Sequence, residues 1–147
     1  FANLGIHPPN WDLIKNAMTK VTTSPIGTAY KSRIKKPGHQ YGGKTGTVQV
    51  RRISKAERES ERGVRKNKDL KWSERDHALF VGYAPIESPR YAVSVVIEHG
   101  GGGSTAAAPI ARDILFEVQN RDPSGSELNS HIDLNEMAIL KKTKIER

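Results

Sequence analysis

Apolar residues recur along this chain with two different periods, and the changes of period mark its elements. Trp11, Ile14, Ala17, Met18 and Val21 fall at helical spacing, which predicts an amphipathic helix with its apolar face in a core. Phe1 to Pro9 reads as a loop, Asn10 as the N-cap, Asp12 as a first-turn acid, and Ser24 before Pro25 as the end. Ile26 to Tyr30 can add one more turn. From Lys44 the period becomes two. Thr45, Thr47, Val48 and Val50 are β-branched and Gly46 is a poor helix former, so the run is expected to be extended, with Thr45, Thr47 and Gln49 on one face and Gly46, Val48 and Val50 on the other. His77 to Pro85 is an apolar strand closed by proline, and after a turn at Glu87-Ser88-Pro89-Arg90 the run Tyr91 to Glu98 is apolar on both faces. That pattern predicts a strand interior to a sheet. His99-Gly100-Gly101-Gly102-Gly103 then leads to Ser104 or Thr105 as N-cap of a helix with Ala107, Ile110, Ala111, Ile114, Leu115 and Val118 on its apolar side and Pro109 near its first turn. The expected class is α+β, an antiparallel sheet of about three strands with packing helices.

Between the first two strands, residues 51–76 are almost wholly polar. Charges at helical spacing conflict there: Glu57 repels Glu61 and Arg58 repels Arg62, while Glu61 attracts Arg65. The segment reads as a solvated, partly helical excursion, pinned by Ile53, Val64, Leu70 and Trp72. Residues 121–147 begin with the linker-like Arg121-Asp122-Pro123-Ser124-Gly125-Ser126 and carry weak helical patterning around Leu134, Met137, Ala138 and Ile139; a mobile C-terminal tail is expected.

Charge adds an asymmetry. The net charge of +8 is concentrated in residues 1–50, with seven basic and one acidic side chain, and in 51–76, with ten and six; residues 77–120 carry two and four, and the tail five of each. A basic front half suits an anionic partner or a carboxylate-bearing substrate. Aromatic residues are not interleaved among the cations, which disfavours nucleic acid. The absence of cysteine excludes disulfides and thiolate metal sites. None of the five histidines stands at metal-ligand spacing from another, so no metal or other cofactor is expected.

The chemistry concentrates in Tyr41-Gly42-Gly43-Lys44-Thr45-Gly46-Thr47. Read from Gly38 it is a formal P-loop, Gly-x-x-x-x-Gly-Lys-Thr; read from Lys44 it is the Lys-Thr-Gly signature of serine acyl-transfer enzymes. A P-loop needs a buried strand before it and a helix after it, whereas the upstream residues Tyr30 to Pro37 are charged and the downstream residues favour a strand. On a strand, the Thr45 and Thr47 hydroxyls form a comb able to grip a carboxylate, and Gly46 leaves room for a substrate backbone to pair with the edge. Ser32-Arg33-Ile34-Lys35 spells Ser-x-x-Lys, but Pro37-Gly38 cuts short the helix that would stack serine on lysine, so a solvated basic loop is expected. His99-Gly100-Gly101-Gly102 is similar to an esterase oxyanion loop, yet no Gly-x-Ser-x-Gly elbow accompanies it.

The order helix, Gly27-Thr28-Ala29, Lys44-Thr45-Gly46-Thr47, charged excursion, His77 to Pro85, strand, glycine-rich loop and alanine-rich helix resembles the C-terminal end of the transpeptidase domain of class B penicillin-binding proteins, most closely the elongation type, over about residues 1–120. The resemblance implies a larger serine transpeptidase/β-lactamase-like domain, with 51–76 as an insertion, and a D,D-transpeptidase that cross-links peptidoglycan stem peptides through a serine acyl-enzyme and binds β-lactams. It implies catalytic roles for Lys44, beside the serine of a Ser-x-Asn motif, and for Thr47, whose backbone N–H joins the oxyanion hole; Thr45, Gly46 and Thr47 would bind substrate. It further implies residence at the periplasmic face of the bacterial inner membrane, with an N-terminal anchor absent from this chain, and cell-wall elongation proteins as partners. Neither a credible helical Ser-x-x-Lys nor a Ser-x-Asn occurs in the sequence. The nucleophile is therefore expected upstream of Phe1, the missing N-terminal part of the same domain is an expected partner, and the chain alone is expected to be inactive. Two other readings stay open on the residues: a P-loop nucleotide hydrolase using Gly38 to Thr45, and a noncatalytic basic binding module.

Overall fold

The computed structural model describes residues 5–122. Helix α1 spans Pro8–Thr23, strand β1 Gly42–Val48, the short helix α2 Lys55–Glu59, strand β2 His77–Ala84, strand β3 Tyr91–Ile97 and helix α3 Ala108–Arg121. The three strands form one antiparallel sheet in the order β1-β2-β3, so the architecture is α+β as expected. Phe80 lies opposite Thr45 on one side and Val95 on the other, which fixes the register of the whole sheet.

Burial in β2 alternates along the strand, with Ala78, Phe80, Gly82 and Ala84 buried. These residues share a face with Val95 and receive Ala107, Ala108, Ala111 and Leu115 from the last helical segment. Alanines on that side let the helix approach the sheet closely. Tyr41, Phe80 and Leu115 are the largest side chains in this core, and each such residue contributes about 1.5–3 kcal/mol by leaving water. The chain divides into two compact units after Phe116. The part after the division holds the end of α3, where Arg121 pairs with Glu117 at 2.6 Å.

Four expectations are corrected. Helix α1 starts two residues before Asn10, with His7 as cap and Pro8 and Pro9 in its first turn, because proline lacks an N–H where a helix has no acceptor for one. Only the end of its apolar stripe meets the core: Val21 is half-buried against it, whereas Trp11 and Ile14 are 45% and 44% exposed and, among the described residues, Thr22 alone of the helix is buried. Among the described residues strand β3 is an edge strand with Val96 exposed, so the interior position expected for it is not provided there. Ahead of α3 the cap is Gly102, and Gly103–Ala107 make a wide π-helical turn in which the Ala108 N–H donates to the Gly103 carbonyl; Thr105 instead turns its hydroxyl back to the Gly102 carbonyl at 3.0 Å. The expectations for Leu134 to Ile139 and the mobile tail beyond Asp122 lie outside the described residues. Helix α1 does end at Ser24, as Pro25 requires, and no described helix is long and apolar enough to cross a membrane.

Candidate functional site

Lys44 to Thr47 occupy the middle of β1, which among the described residues is an edge of the sheet with β2 on one side. The strand is extended from Gly42 to Val48, a geometry that excludes the helix N-terminus a P-loop requires. It ends two residues earlier than the sequence suggests, because the chain turns away at Gln49, whose side-chain amide donates to the Arg51 carbonyl at 2.6 Å.

The entry to this strand is anchored by Tyr41. Its ring is 1% exposed and packs edge-on to Phe80 at 5.8 Å. Its hydroxyl donates to the Ser32 carbonyl at 2.8 Å, and its own carbonyl accepts from the buried Thr22 hydroxyl of α1. Burial, opposed by the nearby Arg112 cation, pushes the Tyr41 phenol up to about 12, so the hydroxyl stays a donor. On the opposite face, Tyr83 donates to the Lys15 carbonyl at 3.1 Å and meets Thr19 at the same distance, tying α1 to the sheet a second time.

The two motif hydroxyls lie on the Phe80 face, as the alternation predicts. Thr45 Oγ1 is 3.0 Å from Thr28 Oγ1. Thr47 Oγ1 accepts the Gly103 N–H at 3.3 Å. Gly103 can sit there only without a side chain, since a Cβ would lie 2.3 Å from the Gly46 carbonyl and 2.4 Å from that of Leu79. Lys44 is exposed, and its ammonium donates to the Thr45 carbonyl at 2.6 Å. The site residues Lys44, Thr45, Gly46 and Thr47 are thus contiguous on one strand, backed by Thr28 and by the turn that opens α3.

Ser32 and Lys35 do not form a catalytic pair. Ser32 is buried at the end of a single 3-10 turn, Arg33 is already extended, and Lys35 points to solvent. The surrounding loop is less solvated than its charge suggests, because Ile34 is also in the core.

The excursion between β1 and β2 is ordered by pairs that helical spacing does not reveal. Arg51 grips Glu57 through two bonds of 2.6 and 2.7 Å, and the Arg65 N–H adds a third at 3.1 Å. Together they hold the Glu57 carboxyl down at about 2. Ser54 caps α2 by accepting the Glu57 N–H. At the far end, Asn67 and Asp76 exchange two hydrogen bonds at 2.8 and 2.9 Å, and the Asp76 carbonyl accepts the Gly101 N–H at 2.8 Å. Of the four expected pins only Leu70 is buried; Val64 and Trp72 are exposed. Trp72 nevertheless meets the His99 ring in a tilted contact at 4.4 Å, and the main-chain N–H of His99 donates to His77 Nδ1 at 2.9 Å. His99 adopts a left-handed φ of 54°, so this loop is built and not a loose connection.

A separate open groove of about 360 Å³ is lined by Ile34, Lys35, Lys36, Arg112, Asp113 and Phe116. No motif residue lines it. The sequence places Tyr41 at the start of the motif stretch and Thr28 in the run Gly27-Thr28-Ala29, but it assigns neither of them, nor Gly103, a role in the site; the signals were Gly27 and the glycine run before α3, which mark close backbone approach without naming the neighbour.

The decisive comparison is with a family model: the penicillin binding protein transpeptidase domain matches residues 2–116. The chain belongs to this family. It is 32% identical over 120 residues to the peptidoglycan D,D-transpeptidase MrdA of Haemophilus influenzae, a match covering 81% of this chain and 17% of that protein. The chain thus spans about a sixth of the length of such relatives. Among solved structures it resembles Pseudomonas aeruginosa PBP2 in complex with WCK 5153, at 33% identity and TM-score 0.55 over 81% of this chain and 21% of that one. It also resembles the PBP2 of Helicobacter pylori in complex with MreC, at 26% identity and TM-score 0.60 over 76% and 17%. In this chain, β1 is the strand that carries the Lys-Thr-Gly sequence.

Proposed function

We propose that this chain is the C-terminal portion of the transpeptidase domain of an elongation-type peptidoglycan D,D-transpeptidase, which cross-links stem peptides through a serine acyl-enzyme and is acylated by β-lactams. The observation that carries the reading is the extended edge strand Gly42–Val48 with Lys44-Thr45-Gly46-Thr47 at its centre, in a chain matched by the family over residues 2–116. In this reading residues 1–120 belong to the domain, 51–76 are an insertion in it, and 121–147 are a tail.

Lys44 supplies positive charge beside the serine of the second motif and helps relay protons. Thr45 and Thr47 donate to the terminal carboxylate of the stem peptide or the β-lactam. The Thr47 N–H, with that of the nucleophile, stabilises the oxyanion, a donor worth roughly 3 kcal/mol in comparable enzymes. Gly46 leaves the edge open to the substrate backbone. The nucleophile and its base lie in the N-terminal part of the same domain, and the exposed Trp11 and Ile14 of α1 together with the outer edge of β3 are where that part packs. The enzyme works at the periplasmic face of the inner membrane, needs neither metal nor other cofactor, and acts among elongation proteins; the complex of the Helicobacter relative with MreC supports such company.

Labelling with a fluorescent penicillin tests this. The full-length protein is expected to label stoichiometrically, Lys44→Ala to slow labelling about a hundredfold, and the 147-residue chain not to label. Stoichiometric labelling of the 147-residue chain, or full-rate labelling of Lys44→Ala, overturns the assignment.

A further inference from the structure

The turn after α1 is held far more tightly than a connecting loop needs. The Ala29 N–H donates to the Val21 carbonyl at 3.0 Å, the Gly27 N–H to the Ser24 carbonyl at 2.8 Å, and the Tyr30 N–H to the Gly27 carbonyl at 3.1 Å. A side chain at Gly27 would place its Cβ 2.4 Å from the carbonyls of both Lys20 and Val21, so the turn is pressed onto the end of the helix. Ala29 is 1% exposed and sits in the core. Between these two fixed residues Thr28 is exposed, and its hydroxyl meets that of Thr45 at 3.0 Å.

We propose that Thr28 is a positioning residue for the transpeptidase reaction: it donates its hydroxyl proton to Thr45 Oγ1 and so directs the Thr45 proton toward the substrate carboxylate. The inference rests on the reading of Thr45 as a carboxylate donor given above. A hydroxyl has one proton and two lone pairs, and a carboxylate only accepts. If Thr45 gives its proton to a carboxylate, it can only accept from Thr28, which fixes the direction of the 3.0 Å bond. The chain from Thr28 through Thr45 to the carboxylate then runs one way, so each bond polarises the next, and its last member is charge-assisted.

Thr47 shows the same device in another form. The Gly103 N–H is a donor only, and it fills a lone pair of Thr47 Oγ1 at 3.3 Å, leaving the Thr47 proton for an outside acceptor. Both hydroxyls of the motif are therefore backed by a donor, one from the main chain and one from a side chain.

The test uses the full-length protein and compares second-order acylation by a fluorescent penicillin with acylation by the methyl ester of the same compound, in which the carboxylate charge is gone. Thr28→Val is expected to slow acylation by the free acid about tenfold, the scale of one lost hydrogen bond to a charged chain, and to leave the ester rate unchanged. Thr28→Ser should restore the free-acid rate. Thr45→Val should slow the free acid at least as much, and the double variant Thr28→Val/Thr45→Val no more than Thr45→Val alone. Unaltered free-acid acylation in Thr28→Val, equal loss on acid and ester, failure of Thr28→Ser to rescue, or additive losses in the double variant overturns the proposal. If Thr45→Val itself acylates at the full rate, the carboxylate reading of Thr45 falls; if Thr45→Val is slow and Thr28→Val is not, only the role of Thr28 falls.

Discussion

The sheet with its packed helices and the excursion between β1 and β2 are both ordered, but by opposite means. In the sheet, Phe80, Tyr41 and Leu115 are buried among alanines, and polar groups serve mainly to satisfy one another at the margins. In the excursion, Leu70 is the single buried apolar side chain among the described residues, and order comes from the Arg51–Glu57 grip and the Asn67–Asp76 exchange. The lesson is about failure modes. A scaffold held by burial fails as a unit, whereas a loop held by a few directional bonds can open while the rest stands.

The largest expected effect breaks the first region. Phe80→Ala removes a ring that touches Tyr41 and lies opposite Thr45, and should cost about 3–5 kcal/mol, read as a large fall in Tm and in the denaturant midpoint. A smaller effect probes the margin of the same core through pH. Because the Tyr41 phenol titrates at about 12 rather than 10, its contribution is whole below pH 10 and is lost as pH rises through 12. Tyr41→Phe should abolish that base-dependent loss while forfeiting about 1 kcal/mol at neutral pH for the bond to Ser32; an unchanged alkaline profile would contradict it. The smallest effect belongs to the excursion. The Glu57 carboxyl sits at about 2 against an ordinary 4.5, so the order it confers is whole above pH 4.5 and is lost as pH falls toward 2. Glu57→Gln should free the Arg65 amide to exchange at neutral pH with no measurable change in the exchange of β2 amides. Coupled loss of protection in both regions would erase the contrast.

Where local pattern and tertiary environment agree, the elements could be read directly. The apolar run from His77 to Ala84, closed by Pro85, and the β-branched run after Lys44 each foretold a strand, and the antiparallel sheet followed. Helix α1 was visible from its spacing, but its period says only that Trp11 and Ile14 share a face, not that anything covers it. The same holds for β3, where apolar residues on both faces suggested an interior position that the described residues do not provide. Of the site, Lys44 to Thr47 could be named because the motif is contiguous. Thr28 could not, since its partner is 17 residues away and only the folded turn brings the hydroxyls together. The Arg51–Glu57 pair escaped for a related reason: a separation of six residues matches neither helical nor strand neighbours, and the competing i,i+4 charges drew attention to Glu61 instead.

The meeting of Val50 and Asp76, where the Val50 N–H reaches Asp76 Oδ1 at 3.4 Å, closes the base of the excursion like the neck of a bag. What hangs below a closed neck can grow, shrink or change its charge without sliding β1 past β2, so long as Asn67, Leu70 and Trp72 keep their places against Asp76, the core and His99. The strand that carries Lys44 to Thr47 is in this sense set apart from the loop that follows it, whose charge can change without moving the register of β1 on β2.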